Sequence, residues 1–586
     1  MRLLVCLLSF CLSSCTKGGS EIFSAPSSKV KVIFEDDDAF LMDQKIYEVE
    51  KGSDLTVFLD FQEGYSFKDI NYAAHQVEVD DNLDATLTLY QIRYPLRLKV
   101  QSEEFGVLLS YHLNGGKFLT GEKQDHFNVI DSLRHHARPN VSIGTDRIYK
   151  NGYLQVGWNT QADGSGTHVG LGSRITASKG RLDLYAEWVK TSDSSYFQFE
   201  ENDTGGITIT SYMGPLHGET LCIPSKIGDN KVTQLGKNLF WNISYDWVIL
   251  PPTLYKIDSL CFSDFRISKL TFFDNLQEVE DSSFDNLSVP QLDIQALMAP
   301  RFISDNDNAR FTENIDNLIL AKGKKKMVFF AGCSMSYGLK SEVVKKSFPS
   351  FEIINCGVIG GICATMQLDI IGHFLEKGDV FIHAPEEMSS YQLLHEYDFA
   401  MKCFMIMESN YDLFHYTDLS FNTKIFSAFR DYNVLRNKLV SQSYDQYNSH
   451  YNDYGDICFD RPNAPFDSFF DLEECFSLSS LDDKSANNFR KYFSYLEKKG
   501  VIPFFSYAPL NLNALKKVPG SFQAKVQYES FFQANLNQKN VISKLDDYLL
   551  TGNYFYDTDY HLSDDGALLR SERLIGDIQK GLNAYA

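Results

Sequence analysis

The feature that most constrains this chain is a repeat of 22 residues in its middle third. Apolar residues recur at that interval in three separate registers. These are Phe240, Phe262 and Phe284; Leu235, Ile257 and Val279; and Val248, Leu270 and Leu292. A period of this size predicts a solenoid, in which each turn adds a strand and stacks on its neighbours to share one core. We expect about four such turns over residues 205–295.

The repeats also carry Ile223-Pro224 and Leu250-Pro251 beside the recurring phenylalanines. Together these residues resemble the BspA-like type of leucine-rich repeat, which is found on bacterial cell surfaces. The resemblance implies one of two roles for residues 205–295. They could form a face that binds a surface ligand, or a rigid spacer that holds another domain away from the membrane.

The N-terminus has the pattern of a processing signal. Arg2 precedes an apolar run over residues 3–12, which ends at Leu12-Ser13-Ser14-Cys15. The run is too short to cross a bilayer as a mature helix. It resembles a bacterial lipobox, which implies a lipoprotein signal peptide at 1–14, a lipid on Cys15 and a tether over 15–29. We therefore expect a protein at the bacterial cell surface, in contact with the membrane through its lipid anchor only.

Composition argues against several classes of partner. The 55 lysines and arginines are outnumbered by 77 aspartates and glutamates, for a formal net charge of −22. An acidic chain is poorly suited to nucleic acid, so we expect no such partner. The cysteines beyond residue 15 show no Cys-x-x-Cys spacing. The sequence therefore predicts no structural zinc, and no sign of another metal or of an organic cofactor is present.

Two β-rich modules precede the solenoid. Residues 30–105 contain short, partly alternating runs of strand-forming residues, which predict an all-β domain. Residues 106–190 contain Gly157-Trp158-Asn159 and Leu184-Tyr185-Ala186-Glu187-Trp188. This pattern resembles the Listeria–Bacteroides repeat, also called the internalin-type B repeat, and implies a small sheet with an aromatic core. We interpret the segment 163–167, Asp-Gly-Ser-Gly-Thr, as a turn.

Residues 300–586 alternate between strand-like and helical stretches, which predicts an α/β domain with a doubly wound parallel sheet. An apolar run at 327–331 leads into Gly332, Ser334 and Gly338, and a second run at 352–355 leads into Asn355, Gly357 and Gly360. The carboxyl ends of such strands are where α/β sheets present reactive groups. Residues 400–480 read as an insertion over one edge of the sheet, a lid or a substrate wall.

These motifs resemble the SGNH/GDSL hydrolase superfamily over residues 320–586. The first block of that family is matched by Gly332, Ser334 and Gly338. The resemblance implies that Ser334 is the nucleophile and that its own N–H and that of Gly360 bind the oxyanion. It also implies that His561, near the C-terminus, is the general base.

Two blocks depart from the family pattern. Glu386 stands where the family has an asparagine oxyanion donor, and an ionised carboxylate cannot donate a hydrogen bond. The family's Asp-x-x-His is replaced by Asp557-Thr558-Asp559-Tyr560-His561. Either Asp557 or Asp559 could orient His561. We favour Asp557, because it follows the strand-like residues 554–556.

The sequence thus predicts a surface-anchored serine esterase or acyltransferase that acts on O-acyl groups, chiefly O-acetyl groups, of an extracellular glycan. Its substrate partner would be an acylated carbohydrate, with water or a sugar hydroxyl as acceptor. The alternative is a surface adhesion or binding lipoprotein whose SGNH-like domain is inactive. A hydrogen bond between Ser334 and His561 would favour the enzyme, and a Glu386 side chain in the oxyanion site would favour the alternative.

Overall fold

The computed structural model describes residues 28–585 except 36, 63, 81–82, 105, 132–146, 178–179, 281, 285–286, 288, 298–305, 359–363, 387–400, 409, 418–421, 437–449 and 464–470. Its contacts divide the chain into two compact units, Met1–Phe105 and Gly106–Ala586. Among the described residues, no helix has both the length and the hydropathy needed to cross a membrane.

The first unit consists of short strands around one apolar core. Its strands are β1 (Lys29–Phe34), β2 (Phe40–Leu41), β3 (Ile46–Glu50), β4 (Ser53–Phe61), β5 (Tyr65–Ile70), β6 (His75–Val79), β7 (Ala85–Ile92), β8 (Leu96–Leu98) and β9 (Val100–Glu104). They pair in the orders β3-β1-β8, β2-β4-β7-β6 and β5-β9. Alternate residues of β7 are buried, because successive side chains of a strand point to opposite faces. The expected all-β character of the N-terminal region agrees with this arrangement.

The second unit begins with a five-stranded sheet. Its part of the chain contains β10 (Val107–His112), β11 (Lys117–Phe118), β12 (His126–Asp131), β13 (Ile148–Tyr149), β14 (Tyr153–Asn159), β15 (His168–Val169) and β16 (Gly180–Lys190). The sheet order is β12-β10-β16-β14-β15. Trp158 is fully buried and packs edge-on against Tyr111, with ring centroids 4.8 Å apart. The Trp188 indole N–H donates to the Leu113 carbonyl at 2.9 Å, so both tryptophans help to hold this sheet together.

The solenoid follows. Its strands are β17 (Phe197–Glu201), β18 (Ile207–Tyr212), β19 (His217–Cys222), β20 (Lys226–Ile227), β21 (Asn230–Leu235), β22 (Ser244–Ile249), β23 (Lys256–Ile257), β24 (Arg266–Phe273), β25 (Glu278–Val279) and β26 (Gln291–Gln295). Strands β19, β22, β24 and β26 form one parallel sheet, and β21, β23 and β25 pair in parallel on another.

The 22-residue register appears directly in this pairing. Leu270 lies between Val248 and Leu292, and Ile257 lies between Leu235 and Val279. The three repeat phenylalanines form a stack, with centroids 5.1 Å apart at each step. The predicted leucine-rich solenoid is therefore confirmed, and the chain is a multidomain, strand-rich protein with a repeat region.

The last part of the chain contains all of the described α-helices. These are α1 (Asn306–Leu320), α2 (Cys333–Gly338), α3 (Ser341–Ser347), α4 (Ala364–Phe374), α5 (Met401–Met407), α6 (Asn422–Arg436), α7 (Leu472–Phe476), α8 (Asp483–Lys498), α9 (Leu512–Leu515), α10 (Ser521–Asn535) and α11 (Asp564–Tyr585). The strands are β27 (Lys326–Phe330), β28 (Glu352–Asn355), β29 (Val380–His383), β30 (Ile502–Phe505), β31 (Leu510–Asn511) and β32 (Leu549–Leu550).

Four of these strands form a parallel sheet in the order β28-β27-β29-β30. Strand β27 is buried at all five positions, as expected for a strand that lies in the middle of a covered sheet. The carboxyl ends of β27 and β29 are neighbours, so the segments that follow them meet at one edge of the sheet.

The described part of the 400–480 segment packs against the solenoid. The Arg436 guanidinium contacts the Asp274 carboxylate at 2.7 Å and the Glu408 carboxylate at 2.8 Å, and all three side chains are buried. The Phe429 ring meets Phe272 edge-on at 5.1 Å. These contacts fix helix α6 to the repeats, so this face of the segment serves packing between the solenoid and the α/β domain.

Candidate active site around Ser334

Ser334 lies at the carboxyl end of β27, in the first turn of α2. The strand delivers it to the sheet edge, and Gly332 forms the turn between strand and helix. The Ser334 side chain is fully buried, and its Oγ has no hydrogen-bond partner among the described residues. An unpaired hydroxyl in a buried position is unusual, because buried polar groups normally find a partner.

A buried arginine lies behind the serine. Arg570, on α11, donates from Nη1 to the Ser334 carbonyl oxygen at 2.7 Å. A Cβ atom on Gly338 would lie 2.4 Å from that same Nη1, so only glycine leaves room for the guanidinium here. Burial lowers the pKa of Arg570 to about 10, with Tyr548 and Glu386 opposing the shift. The guanidinium therefore remains positively charged at neutral pH.

Glu386 follows β29 and reaches across to the start of α2. Its Oε2 accepts a hydrogen bond from the Ser334 backbone N–H at 2.8 Å, and its Oε1 lies 3.6 Å from the Cys333 thiol. A Cβ atom on Gly332 would come within 1.7 Å of Oε1, so the approach requires glycine at 332. A carboxylate oxygen thus accepts the hydrogen bond of the N–H group that, by the family resemblance, would bind the oxyanion.

His561 is held in a short loop before α11. An isolated bridge between Phe555 and Leu562 closes this loop, and the Thr558 hydroxyl accepts from the His561 N–H at 2.9 Å. His561 Nδ1 lies 2.8 Å from Asp557 Oδ1. The carboxylate favours the tautomer with the proton on Nδ1, which leaves Nε2 as the basic nitrogen.

Tyr337 links this pair to the serine helix. Its ring stacks on His561 with centroids 3.8 Å apart and an angle of 4° between planes. Ser334 and Tyr337 are one turn apart on α2, so the stack places His561 beside the same helix. The structure thus brings Asp557 and His561 together, but no hydrogen bond joins Ser334 to His561 among the described residues.

The other predicted site residues have different surroundings. Asp559 is buried, and its Oδ1 accepts a hydrogen bond from Asn511 Nδ2 at 2.9 Å. Asn511 in turn caps α9, so Asp559 supports the turn that begins that helix. Gly360 and Cys15 lie outside the described residues.

Asn355 and Asp456 hold α2 in place. Asn355 Nδ2 donates to the Met335 carbonyl at 3.1 Å and to Asp456 Oδ1 at 2.9 Å. Asp456 also accepts from the N–H and the hydroxyl of Ser341. Burial raises the pKa of Asp456 despite these hydrogen bonds. Asn355, at the end of the second apolar run, therefore positions the serine helix.

Three residues that help to build the site are not predicted by the sequence analysis: Tyr337, Arg570 and Arg461. Arg461 is buried, donates to the Tyr337 carbonyl oxygen and lies over the Tyr337 ring at 5.6 Å. All three lie far in sequence from most of their partners, so no local pattern connects them to the site. A signal was present only for Tyr337, which falls inside the Gly-x-Ser-x-x-x-Gly segment.

The site contains a serine, a histidine and the Asp557 carboxylate, which are the parts of a serine–histidine–carboxylate system. The N–H of Ser334, which would donate to an oxyanion, donates instead to the Glu386 carboxylate. Among the described residues, no group of three or more His, Cys, Asp or Glu side chains is arranged to hold a metal ion.

One part of the chain matches a known protein family. Residues 226–336 match the family model of the BspA type leucine-rich repeat region, in six copies. The parallel solenoid strands end at Gln295, so the matched range also extends over β27 and the start of α2. No curated protein matches the chain. The chain therefore carries a BspA-type leucine-rich repeat region. The 22-residue register and the phenylalanine stack agree with a solenoid in that part of the chain.

Proposed function

We propose that residues 300–586 form an SGNH/GDSL-type serine acyl-transfer enzyme. Its substrates are O-acyl groups, chiefly O-acetyl groups, on an extracellular glycan, and the protein is held at the bacterial cell surface by a lipid on Cys15. The observation that carries the proposal is the Asp557–His561 pair stacked on Tyr337, one helical turn from Ser334. A histidine fixed by a carboxylate beside a strand-end serine is the arrangement that activates a hydroxyl.

In the proposed reaction, His561 Nε2 takes the proton from Ser334 Oγ as that oxygen bonds to the ester carbonyl carbon. The Ser334 N–H binds the oxyanion that forms. The bond to the sugar oxygen then breaks, and His561 returns the proton to that oxygen. Water or a sugar hydroxyl, deprotonated by His561, releases the acyl group from Ser334 in the second half of the cycle.

Glu386 sets a condition on this reaction. Its Oε2 lies 2.8 Å from the Ser334 nitrogen, which is the distance expected for an oxyanion contact. The same contact supports the idea that this N–H can hold an anionic oxygen. Because one N–H cannot serve both oxygens well, the carboxylate must leave when substrate binds.

A second function is favoured by that same contact. If Glu386 keeps the N–H permanently, the domain is an inactive binding module, and the repeats carry the function as an adhesion surface or a spacer. The unpaired Ser334 hydroxyl is compatible with this alternative.

Labelling with a fluorophosphonate probe separates the two functions, because the probe reacts with activated serines. The purified full chain is compared with Ser334→Ala, His561→Ala and the control Ser336→Ala, which removes a nearby buried hydroxyl bonded to the Gly357 carbonyl. Circular dichroism checks folding. Labelling that is lost in the first two variants and kept in the control supports the enzyme. A folded wild type that does not label overturns it in favour of the binding module.

A further inference from the structure

A cavity of about 380 Å³ lies between the five-stranded sheet and the α/β domain. One wall comes from residues 160–182, around strand β15. The other comes from Ile319 of α1 and from residues 410–416, which include a 3-10 helix, Tyr411–Tyr416. The volume is near the lower end of the range of small-molecule sites, so the cavity suits a small ligand.

The cavity opens to solvent away from the candidate active site. Thr167 and Thr176 both line it and are exposed, so a ligand can enter on that side. Neither Ser334 nor His561 belongs to the lining. A ligand bound in the cavity would therefore not touch the proposed nucleophile or the proposed base.

The lining has one carboxylate beyond its ion pairs. Arg174, the permanent cation of the lining, is paired with the buried carboxylate of Asp316. The His168 ring is paired with Glu187. Asp412, which is half-buried in the first turn of the 3-10 helix, also lines the cavity. Its charge is therefore the one that a ligand in the cavity would meet, and it favours a cation.

The surroundings of Asp412 do not fully compensate its carboxylate for the loss of water. Burial raises the pKa of Asp412, and the negative charge of Asp293 raises it further. The charges of His415 and His168 and the nearby Ser173 hydroxyl act in the opposite direction, but the pKa remains above its usual value. A cation in the cavity would supply the stabilisation of the ionised carboxylate that these groups do not provide.

Much of the remaining lining is apolar. Val169, Ile175 and Leu413 are buried, and the half-buried Tyr416 side chain adds an aromatic group. A primary ammonium has three N–H donors, and each one that lost water without gaining an acceptor would cost free energy. A methylated ammonium carries its charge among methyl groups, which pack on aliphatic side chains and are attracted to aromatic rings. The lining therefore favours a methylated cation.

We propose that this cavity binds a small methylated ammonium ion, with Asp412 as its counter-ion and the aliphatic side chains around its methyl groups. The ligand class is a tertiary or quaternary amine, of which choline is a simple member. This site is independent of the proposed esterase activity, because its lining shares no residue with the candidate active site. Each can exist without the other.

The test is titration calorimetry on the purified full chain with three probes: choline, ethanolamine and 3,3-dimethylbutan-1-ol. The last has the shape of choline with carbon in place of the charged nitrogen. We expect choline to bind, and each of the other two to bind about tenfold more weakly or less. The alcohol lacks the charge, and ethanolamine has three N–H donors that must leave water. Absence of choline binding to the folded chain, or equal binding of either other probe, overturns the proposal.

Variants of the lining locate the bound cation. Asp412→Asn should weaken choline binding about tenfold or more, because it removes the counter-ion and keeps the shape of the side chain. Thr176→Trp should also weaken it, since it narrows the opening from an exposed position. Asp229→Asn makes the same charge change at an exposed site outside the lining and should bind like the wild type. Choline binding that survives Asp412→Asn and Thr176→Trp unchanged lies elsewhere and overturns the proposal.

Discussion

The His561 ring lies flat on the Tyr337 ring, with centroids 3.8 Å apart. Asp557 holds the edge of the imidazole and Tyr337 holds its face, so two contacts at right angles fix the ring. Tyr337 itself is held by Arg461, which donates to its carbonyl oxygen and lies over its ring. The orientation of the candidate base thus depends on an aromatic residue from the helix that carries the nucleophile.

We predict that Tyr337→Leu slows fluorophosphonate labelling of Ser334 about tenfold or more, because the imidazole loses the surface that fixes its plane. Tyr337→Phe should keep the wild-type rate, since the stack needs the ring and not the hydroxyl. Labelling rates are measured on both variants, with melting curves to correct for unfolded protein. Equal rates for leucine and phenylalanine would show that the stack has no positioning role.

The two aspartates near His561 should respond differently to substitution. Asp557→Asn removes the carboxylate at Nδ1 and should slow labelling by about two orders of magnitude or more. Asp559→Asn weakens a buried hydrogen bond with Asn511, so it should lower the free energy of unfolding by about 1–3 kcal/mol. Its labelling rate per folded molecule should stay near the wild-type value. Denaturant titration and labelling kinetics on the pair check this, and a reversed pattern would assign the orienting role to Asp559.

Whether Glu386→Ala raises or lowers the labelling rate distinguishes two roles of the Glu386 carboxylate. If its carboxylate only blocks the Ser334 N–H, Glu386→Ala should raise the labelling rate about tenfold, because the freed donor can bind the oxyanion. Cys333→Ala serves as the control, since it removes the thiol that lies 3.6 Å from Oε1 and leaves the N–H occupied by Oε2. A fall in rate for Glu386→Ala would instead mean that the carboxylate takes part in the reaction.

The fold was predictable where the sequence repeats or alternates. The register that joins Val248, Leu270 and Leu292 could be read from spacing alone, because a solenoid places equivalent residues one above the other. The buried strand before Ser334 was also evident, since five consecutive apolar residues in front of a glycine are typical of a parallel strand.

The site was less predictable, because its geometry depends on contacts between distant segments. The sequence indicates Glu386 by its position after a predicted strand, but its hydrogen bond to the Ser334 N–H depends on how two strand ends meet. Arg570 lies 236 residues from Ser334 and sits in an ordinary amphipathic helix, so no local pattern marks it.

The phenylalanine stack provides a stability prediction. Phe262 is fully buried between Phe240 and Phe284, so Phe262→Ala should lower the free energy of unfolding by about 3–5 kcal/mol. Phe199→Ala, at a strand position that is 38% exposed, is the matched control and should change it far less. Denaturant unfolding followed by tryptophan fluorescence measures both. Similar losses in the two variants would contradict a shared solenoid core.

The loss of stability in acid should depend in part on Asp564. Burial raises the pKa of its carboxyl, but hydrogen bonds and charge from Lys340 and Arg461 outweigh burial and lower the pKa to about 2. A carboxyl with a folded-state pKa below its usual value of 3.8 stabilises the fold above that value. The contribution should therefore be lost as the pH falls from about 4 to about 2.

All four tryptophans lie within residues 106–586, so their fluorescence follows the unit that contains Asp564. In Asp564→Asn, thermal melting should show a weaker dependence on pH between about 4 and 2 than in the wild type, and lower stability at neutral pH. Asp229→Asn, at an exposed position, should keep the wild-type profile. If Asp564→Asn and Asp229→Asn gave the same curve, the contacts with Lys340 and Arg461 would contribute nothing to acid stability.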